Sequence, residues 1–286
     1  TPDQRELIYC WVCHSDSDAT FRDPGSIPFP SGVSRSLATD GSNICLSCHQ
    51  GRESGATVEE NIVAGDFDFI NRHYLAAAAI MFGTEVTAGV EYRDTSNYAG
   101  LTAFGGHSGN GLTTCAACHL RGQADHSFEP VLGDCSGCHS TLSTDFDEMG
   151  PTGGYATDYD GDGANESWQD EISGMRELLL VAIQDYADAD ATLDSIIYAS
   201  NYPYWFIDTN GNRIVDSGEN VRSNAYPSFD APLLRAAFNY HSASDPCGHV
   251  HNYRYVLQTV YDSIDDLNDG TQNNNVLGSS VAAIRP

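Results

Sequence analysis

Cys10-Trp11-Val12-Cys13-His14, Cys45-Leu46-Ser47-Cys48-His49, Cys115-Ala116-Ala117-Cys118-His119 and Cys135-Ser136-Gly137-Cys138-His139 are four copies of one pentapeptide, C-x-x-C-H. The spacing has a chemical reason. Two thiols three positions apart can add across the two vinyl groups on one edge of a porphyrin, and the next histidine then reaches the iron from one face. This is the attachment pattern of haem c. One copy alone could be half of a zinc site or a redox dithiol. Four copies, which use all but one of the nine cysteines, point instead to four covalent haems. The remaining Cys247 has no partner left in the chain and reads as a buried free thiol.

Outward from the motifs, residues 10–139 are rich in Gly, Ser, Thr and Asn and show little sustained periodicity. Porphyrins can supply the apolar interior that regular elements normally provide, so loops and short helices are expected here. One helical stretch is expected over Asn71–Met81, with His73 on it. The composition changes after Met149. A Gly- and Asp-rich run, 150–170, leads into Ile172, Met175, Leu178, Leu179 and Ile183 at helical spacing. Leu233–Tyr240 follows Pro232, which suits a first helical turn. Val256, Leu257, Val260, Tyr261, Ile264 and Leu267 form a third apolar stripe, ended near Asn268-Asp269-Gly270. Ile196–Ile207, aromatic and β-branched, suits a short strand, and an extended tail is expected from Thr271. The fold class is therefore a multihaem cytochrome: irregular loops and short α-helices around four haems, a more helical C-terminal part and little β. The division is 1–149, haem-binding, and 150–286, helical, packed as one unit.

The sixth position of each iron decides between carriage and catalysis. Ten histidines less the four in the motifs leave His73, His107, His126, His241, His249 and His251, against three methionines. His126 follows His119 closely in a tight inter-motif loop. His107 lies in Gly105-Gly106-His107-Ser108-Gly109, a run that can approach a haem closely. His251 opens the last helix. His241 and His249 are the weakest candidates. Enough histidines exist to fill every iron, which argues for electron transfer and against an enzyme.

Two acidic loops are candidate calcium sites. In Asp158-Tyr159-Asp160-Gly161-Asp162-Gly163, oxygens at positions 1, 3 and 5 converge on a hard cation and Gly at position 6 allows the turn. Gln169 stands where a bidentate Glu is expected, and Glu171 is a substitute. The second loop offers Asp208, Asn210, Asn212, the carbonyl of Ile214, Asp216 and Glu219, with Arg213 at the usual Gly position.

The chain of 286 residues carries a net charge of −27, with 13 arginines and no lysine. Nucleic acid would be repelled by this surface. No apolar run reaches the ~20 residues of a membrane-spanning helix. The first residue is Thr1, which reads as a processed form exported with a cleaved signal. An extracellular location is expected, with the periplasm as alternative.

Several segments together resemble an extracellular multihaem cytochrome family of metal-reducing microbes. They are Cys45–Ser54, His73-Tyr74, Cys115–His119 with His126-Ser127-Phe128 and Cys135–His139, Ala236–Tyr240, and His251-Asn252-Tyr253 followed by Tyr261–Ile264. Some members, of the tetrahaem OmcE and hexahaem OmcS kind, polymerise into filaments (nanowires) with a continuous haem stack, in which one subunit's histidine ligates a haem of the next. The resemblance implies bis-His ligation by His73, His107, His126 and His251, self-association, and extracellular electron acceptors or redox partner proteins. The competing expectations are a monomeric electron carrier and a multihaem reductase, which would need an iron with an open position.

Overall fold

The computed structural model describes residues 10–15, 20–37, 40–73, 75–101, 107, 112–121, 126–272 and 282–286. In chain order the helices are α1 (Cys10–Cys13), α2 (Ser42–His49), α3 (Gly55–Ala64), α4 (Ala77–Phe82), α5 (Cys115–His119), α6 (Leu132–Ser136), α7 (Trp168–Ala189), α8 (Ala231–Ser242) and α9 (Gly248–Asp269). Among the described residues the strands form two antiparallel pairs: β1 (Ile27–Pro28) with β2 (Ser34–Arg35), and β3 (Ile196–Tyr198) with β4 (Trp205–Ile207). This mostly helical and irregular architecture, with little strand, is the one the sequence led us to expect.

The long helices start where side chains satisfy free backbone N–H groups. Ser167 accepts from the Asp170 amide at 3.1 Å to open α7. Asp230 accepts from the Leu233 amide at 2.9 Å to open α8, with Pro232 in its first turn. Gly270, at φ +72°, closes α9 in the left-handed conformation that favours glycine. The stripe Ile172, Met175, Leu179 and Ile183 of α7 meets Val256, Leu257, Val260, Ile264 and Leu267 of α9, with Leu233, Leu234, Ala237 and Phe238 of α8 completing the interior. Trp205 of β4 is buried in the same core, as are Val58 of α3, Ile80 of α4 and Val90. The aromatic run expected as one strand is thus a hairpin, with Ile196 opposite Ile207 and Tyr198 opposite Trp205.

Two local departures bear on the haem sites. The helix expected over Asn71–Met81 begins only at Ala77. Arg72 is drawn inward, donating to the Ser242 carbonyl at 3.1 Å and pairing with Asp245 at 3.6 Å. His73 and Leu75 take positive φ, +69° and +52°, and the His73 amide binds the Asn71 side chain at 2.8 Å. His73 therefore sits in a turn, not on a helix. Within α9, Asn252 is non-helical (φ −169°, ψ 70°). Its side chain accepts from the Tyr255 amide at 3.1 Å and donates to the Ala99 carbonyl at 3.2 Å. The segment beyond is thereby capped afresh, and the first turn, with His249 and His251, points away from the main axis. Close approach supports this junction: a Cβ on Gly83 would lie 2.2 Å from the Ala99 carbonyl oxygen.

Candidate haem-binding sites

The four motif segments differ from the rest in how little they bury. Among the described residues, α1, α5 and α6 bury none of their own, and α2 buries only Ser42, Asn43 and Leu46. Trp11, Val12, Phe21, Phe128 and Val131, all near a motif, are exposed. An apolar porphyrin is the partner such surfaces suit. All eight motif cysteines are exposed or half-buried, as thioether formation requires.

Three of the four motif histidines are held in a definite tautomer. Nδ1 of His49 lies 2.8 Å from the Leu75 carbonyl, Nδ1 of His119 lies 2.7 Å from that of Phe128, and Nδ1 of His139 lies 2.7 Å from that of Gly150. A carbonyl only accepts, so each Nδ1 carries the proton and Nε2 keeps its lone pair for a metal. His14 stacks on Phe21, ring centres 5.1 Å apart.

Three further histidines face motif histidines at one recurring separation. Ring centres are 6.2 Å apart for His14 and His126, 6.1 Å for His139 and His107, and 6.4 Å for His119 and His251. Imidazole nitrogens bond metals at about 2 Å, and a ring centre lies about 1.1 Å behind its nitrogen. Two imidazoles on opposite sides of one ion therefore have centres about 6.2 Å apart. The residues present fit iron held between paired histidines. The ring planes cross at 72° and 76° in the first two pairs and at 26° in the third.

Burial favours the neutral form, the one that binds metal, at two of the facing rings, His107 and His251. It lowers His107, with the neighbouring His139 adding to the effect. It lowers His251 to about 4, against the opposing charge of Asp245 and with help from His119 and His49. Nδ1 of His251 is buried without a hydrogen-bond partner. His73 lines a cavity of about 230 Å³ with Arg72, Leu75, Tyr204, His241 and Asp245. Its segment touches the second motif through the Leu75 carbonyl on His49.

The weakest candidates are engaged elsewhere. His241 has Nε2 3.1 Å from Asn71 Oδ1 and Nδ1 3.3 Å from the Tyr198 hydroxyl. His249 Nε2 donates to the Phe146 carbonyl at 3.1 Å. Cys247 is a free thiol but an exposed one, because it sits at the start of α9 outside the core. This corrects the expectation of a buried thiol.

The motifs follow one another in space as in sequence. Cys13 is close enough to Cys45 and Cys48 for their charges to interact, Cys45 and Cys115 share a hydrogen bond, and Cys118 neighbours Cys135. The carbonyls of Leu75, Phe128 and Gly150 were not legible in the sequence, since a backbone acceptor carries no side-chain signal.

The acidic loops follow the motifs in sequence, and the first is joined to α7, whose Trp168 ring lies 6.2 Å from that of His139. Carboxylate oxygens of Asp158, Asp160 and Glu171 converge within 4.8 Å of one another, the one such acidic group among the described residues. Asp162 instead accepts from the Ala164 amide at 2.7 Å. Burial, reinforced by Glu171 and Asp162, raises Asp160 to about 6 although the Asp162 amide opposes it. In the second loop Asp208 accepts from the Gly211 amide at 2.8 Å. The Asn210 and Asn212 side chains donate to Asp216 at 2.7 and 2.8 Å, and Glu219 accepts from the Thr209 amide at 2.9 Å. Ile214 is exposed, its amide on Asn212.

No helix among the described residues is long and apolar enough to cross a membrane. No protein-family profile matches the chain, and no solved structure does. Curated relatives do match. The chain is 32% identical to the C-type polyheme cytochrome OmcB of Geobacter sulfurreducens over 98% of its own length and 40% of that protein's. It is 32% identical to the C-type polyheme cytochrome OmcC of the same organism over 99% of its length and 39% of the relative's. The chain thus spans about two fifths of the curated relatives it matches. With likeness running along nearly its whole length and with four attachment motifs in place, the chain belongs to the multihaem c-type cytochromes.

Proposed function

We propose that this chain carries electrons through four covalently held haems c, each iron bound by two histidines, and that it is the repeating subunit of an extracellular conducting filament. The observation that carries the reading is the recurring separation of 6.1 to 6.4 Å between three motif histidines and three histidines outside the motifs. The assignment pairs His14 with His126, His119 with His251, His139 with His107, and, by the Leu75 contact, His49 with His73. Cys10 and Cys13, Cys45 and Cys48, Cys115 and Cys118, and Cys135 and Cys138 anchor the porphyrins.

When bound, haem would supply one-electron exchange, each iron held by a motif histidine and its partner histidine. The protein's part is to hold those histidines. The Leu75, Phe128 and Gly150 carbonyls orient the motif rings and fix their tautomer. Burial keeps His107 and His251 neutral and in place. With both axial sites filled no iron is left open to substrate, which favours transfer over an enzymatic reductase. The succession of the motifs in space supports hopping from one to the next, and a filament continues that succession across subunits. Electron microscopy of the purified holoprotein tests the assembly. Long fibres with a regular repeat are expected, and isolated particles at high concentration would leave a monomeric carrier.

Calcium belongs to the same proposal in a structural role. Asp158 and Asp160, with Glu171 in place of the missing position-12 ligand, are the first set. Hard cations seek about 6–8 oxygens, so backbone and water oxygens complete it. A second ion at Asp208, Asn210, Asn212, Ile214 and Glu219 requires those side chains to exchange their present bonds. Added calcium is expected to raise the melting temperature, and Glu171→Gln to abolish most of that gain.

A further inference from the structure

The turn Asp40-Gly41-Ser42-Asn43, at the start of α2, is bonded on both sides to segments carrying other motifs. Toward the third motif, the Thr114 hydroxyl donates to Asp40 Oδ2 at 2.5 Å, and the Ala116 amide donates to Ser42 Oγ at 2.9 Å. Ala116 lies inside the motif itself, and its N–H is one of those the first helical turn leaves without an intrahelical partner. Thr114 also caps α5, accepting from the Ala117 amide at 3.3 Å.

Toward the first motif, Asn43 Nδ2 donates to Asp23 Oδ1 at 3.1 Å. Gly41, at φ +91°, leaves room for the Phe21 ring, which a Cβ would meet at 3.1 Å. That same ring stacks on His14. Ser42 and Asn43 are buried polar residues, a costly placement unless their bonds are made. Asp40 stays ionised: burial works against this, but hydrogen bonds from Thr114 and Ser42 outweigh it and lower its carboxyl.

We propose that Asp40–Asn43 is the positioning element for the first three haems, with Asp40 and Ser42 holding the third motif and Gly41 and Asn43 holding the first. The inference rests on haem attachment at those motifs. Its consequence is specific. The second motif, on α2, and the third, on α5, anchor neighbouring haems and are tied together through this clasp, so loosening it changes the haem–haem geometry without removing a ligand or an anchor.

The test uses the haem-loaded protein, with Ser42→Ala and Thr114→Val as variants. Haem content is measured by the pyridine haemochrome, and haem–haem coupling by the exciton couplet in Soret circular dichroism. Asp230→Ala, which removes the cap of α8 in the haem-free half, controls for general destabilisation. The expected result is an undiminished haem content with a reduced or reshaped couplet in both variants, recovery in Ser42→Thr, and no change in the control. A couplet equal to that of the unsubstituted protein in both variants would overturn the proposal. So would loss of haem, because the turn would then serve attachment and not spacing. If Ser42→Ala does not accumulate, Thr114→Val alone decides. Fewer than four haems in the unsubstituted protein would instead sink the attachment reading, and the haem assay reports that separately.

Discussion

Residues 10–139 and residues 150–286 reach order by different means. The C-terminal half has two 22-residue helices, α7 and α9, whose apolar stripes bury against each other and against α8. Hydrophobic burial of its own side chains holds it together. The motif half has helices of four to eight residues around its cysteines, three of them burying nothing of their own. It buries a smaller apolar cluster, with Ile27, Phe29, Leu46, Phe82 and Val86, and around its cysteines order comes from imidazole–carbonyl bonds, from facing histidines, and from clasps such as Ser42 on Ala116. The comparison teaches where each half is vulnerable. Substitutions in the apolar core of the C-terminal half should unfold the protein and leave ligation intact until it melts. Substitutions at the motifs and at the histidines that face them, His251 of the C-terminal half among them, should alter an iron and leave the helical body standing.

The largest expected effect is at one iron. His251→Ala should convert one haem from low spin to high spin, visible in the optical and magnetic spectra of the oxidised protein. His241→Ala should leave those spectra as they were, since both of its ring nitrogens are bound within the protein. Equal responses from the two variants would erase the distinction drawn between ligand and packing histidines.

Next is the core. Leu179, on α7, is fully buried. Leu179→Ala should cost about 2–5 kcal/mol of stability by the loss of burial and the cavity left behind. Thermal denaturation measures this, and the low-spin spectrum should persist up to the lowered melting point. A spectrum altered well below melting would show that the halves are not so separable.

A smaller effect is expected from the α8 cap: Asp230→Ala should cost about 1 kcal/mol, read as a lowered midpoint in the same thermal denaturation.

A further effect concerns pH. Burial raises Glu91 to about 7, although the Tyr255 and Thr84 hydroxyls that bond to it work the other way. The folded protein therefore holds a proton that the unfolded chain releases near the ordinary carboxyl value. Stability from this group is greatest at low pH, declines as pH rises from about 4.5, and is lost on passing about 7. Chemical denaturation at pH 5 and pH 8 should show the decline, and Glu91→Gln should flatten it.

The same contrast explains which features were legible in the sequence. Helical spacing is visible wherever burial is intramolecular, so Ile172 to Ile183 and Val256 to Leu267 read as helices from their apolar periodicity alone. The four motifs announced their chemistry because thioether attachment demands a fixed spacing. The expected helix over Asn71–Met81 failed in its first half because Arg72 is drawn to Ser242 and Asp245, residues about 170 positions away that no local pattern encodes. Pairings of one histidine with another were equally hidden, since His119 meets His251 only after α9 has packed and Asn252 has redirected its first turn. The Asp40–Asn43 clasp carried no signal beyond an ordinary Gly-Ser-Asn turn.

Electron paramagnetic resonance of the fully oxidised protein tests the central claim, four irons each held by two histidines, most directly. Crossed imidazole planes leave the iron π orbitals nearly degenerate, whereas near-parallel planes split them. The crossed pairs His14–His126 and His107–His139 and the near-parallel pair His119–His251 should therefore give two kinds of low-spin ferric signal. The account predicts low-spin signals of both kinds that integrate to four haems, with no high-spin component. A high-spin signal from any of the four, sensitive to added small ligands, would contradict it.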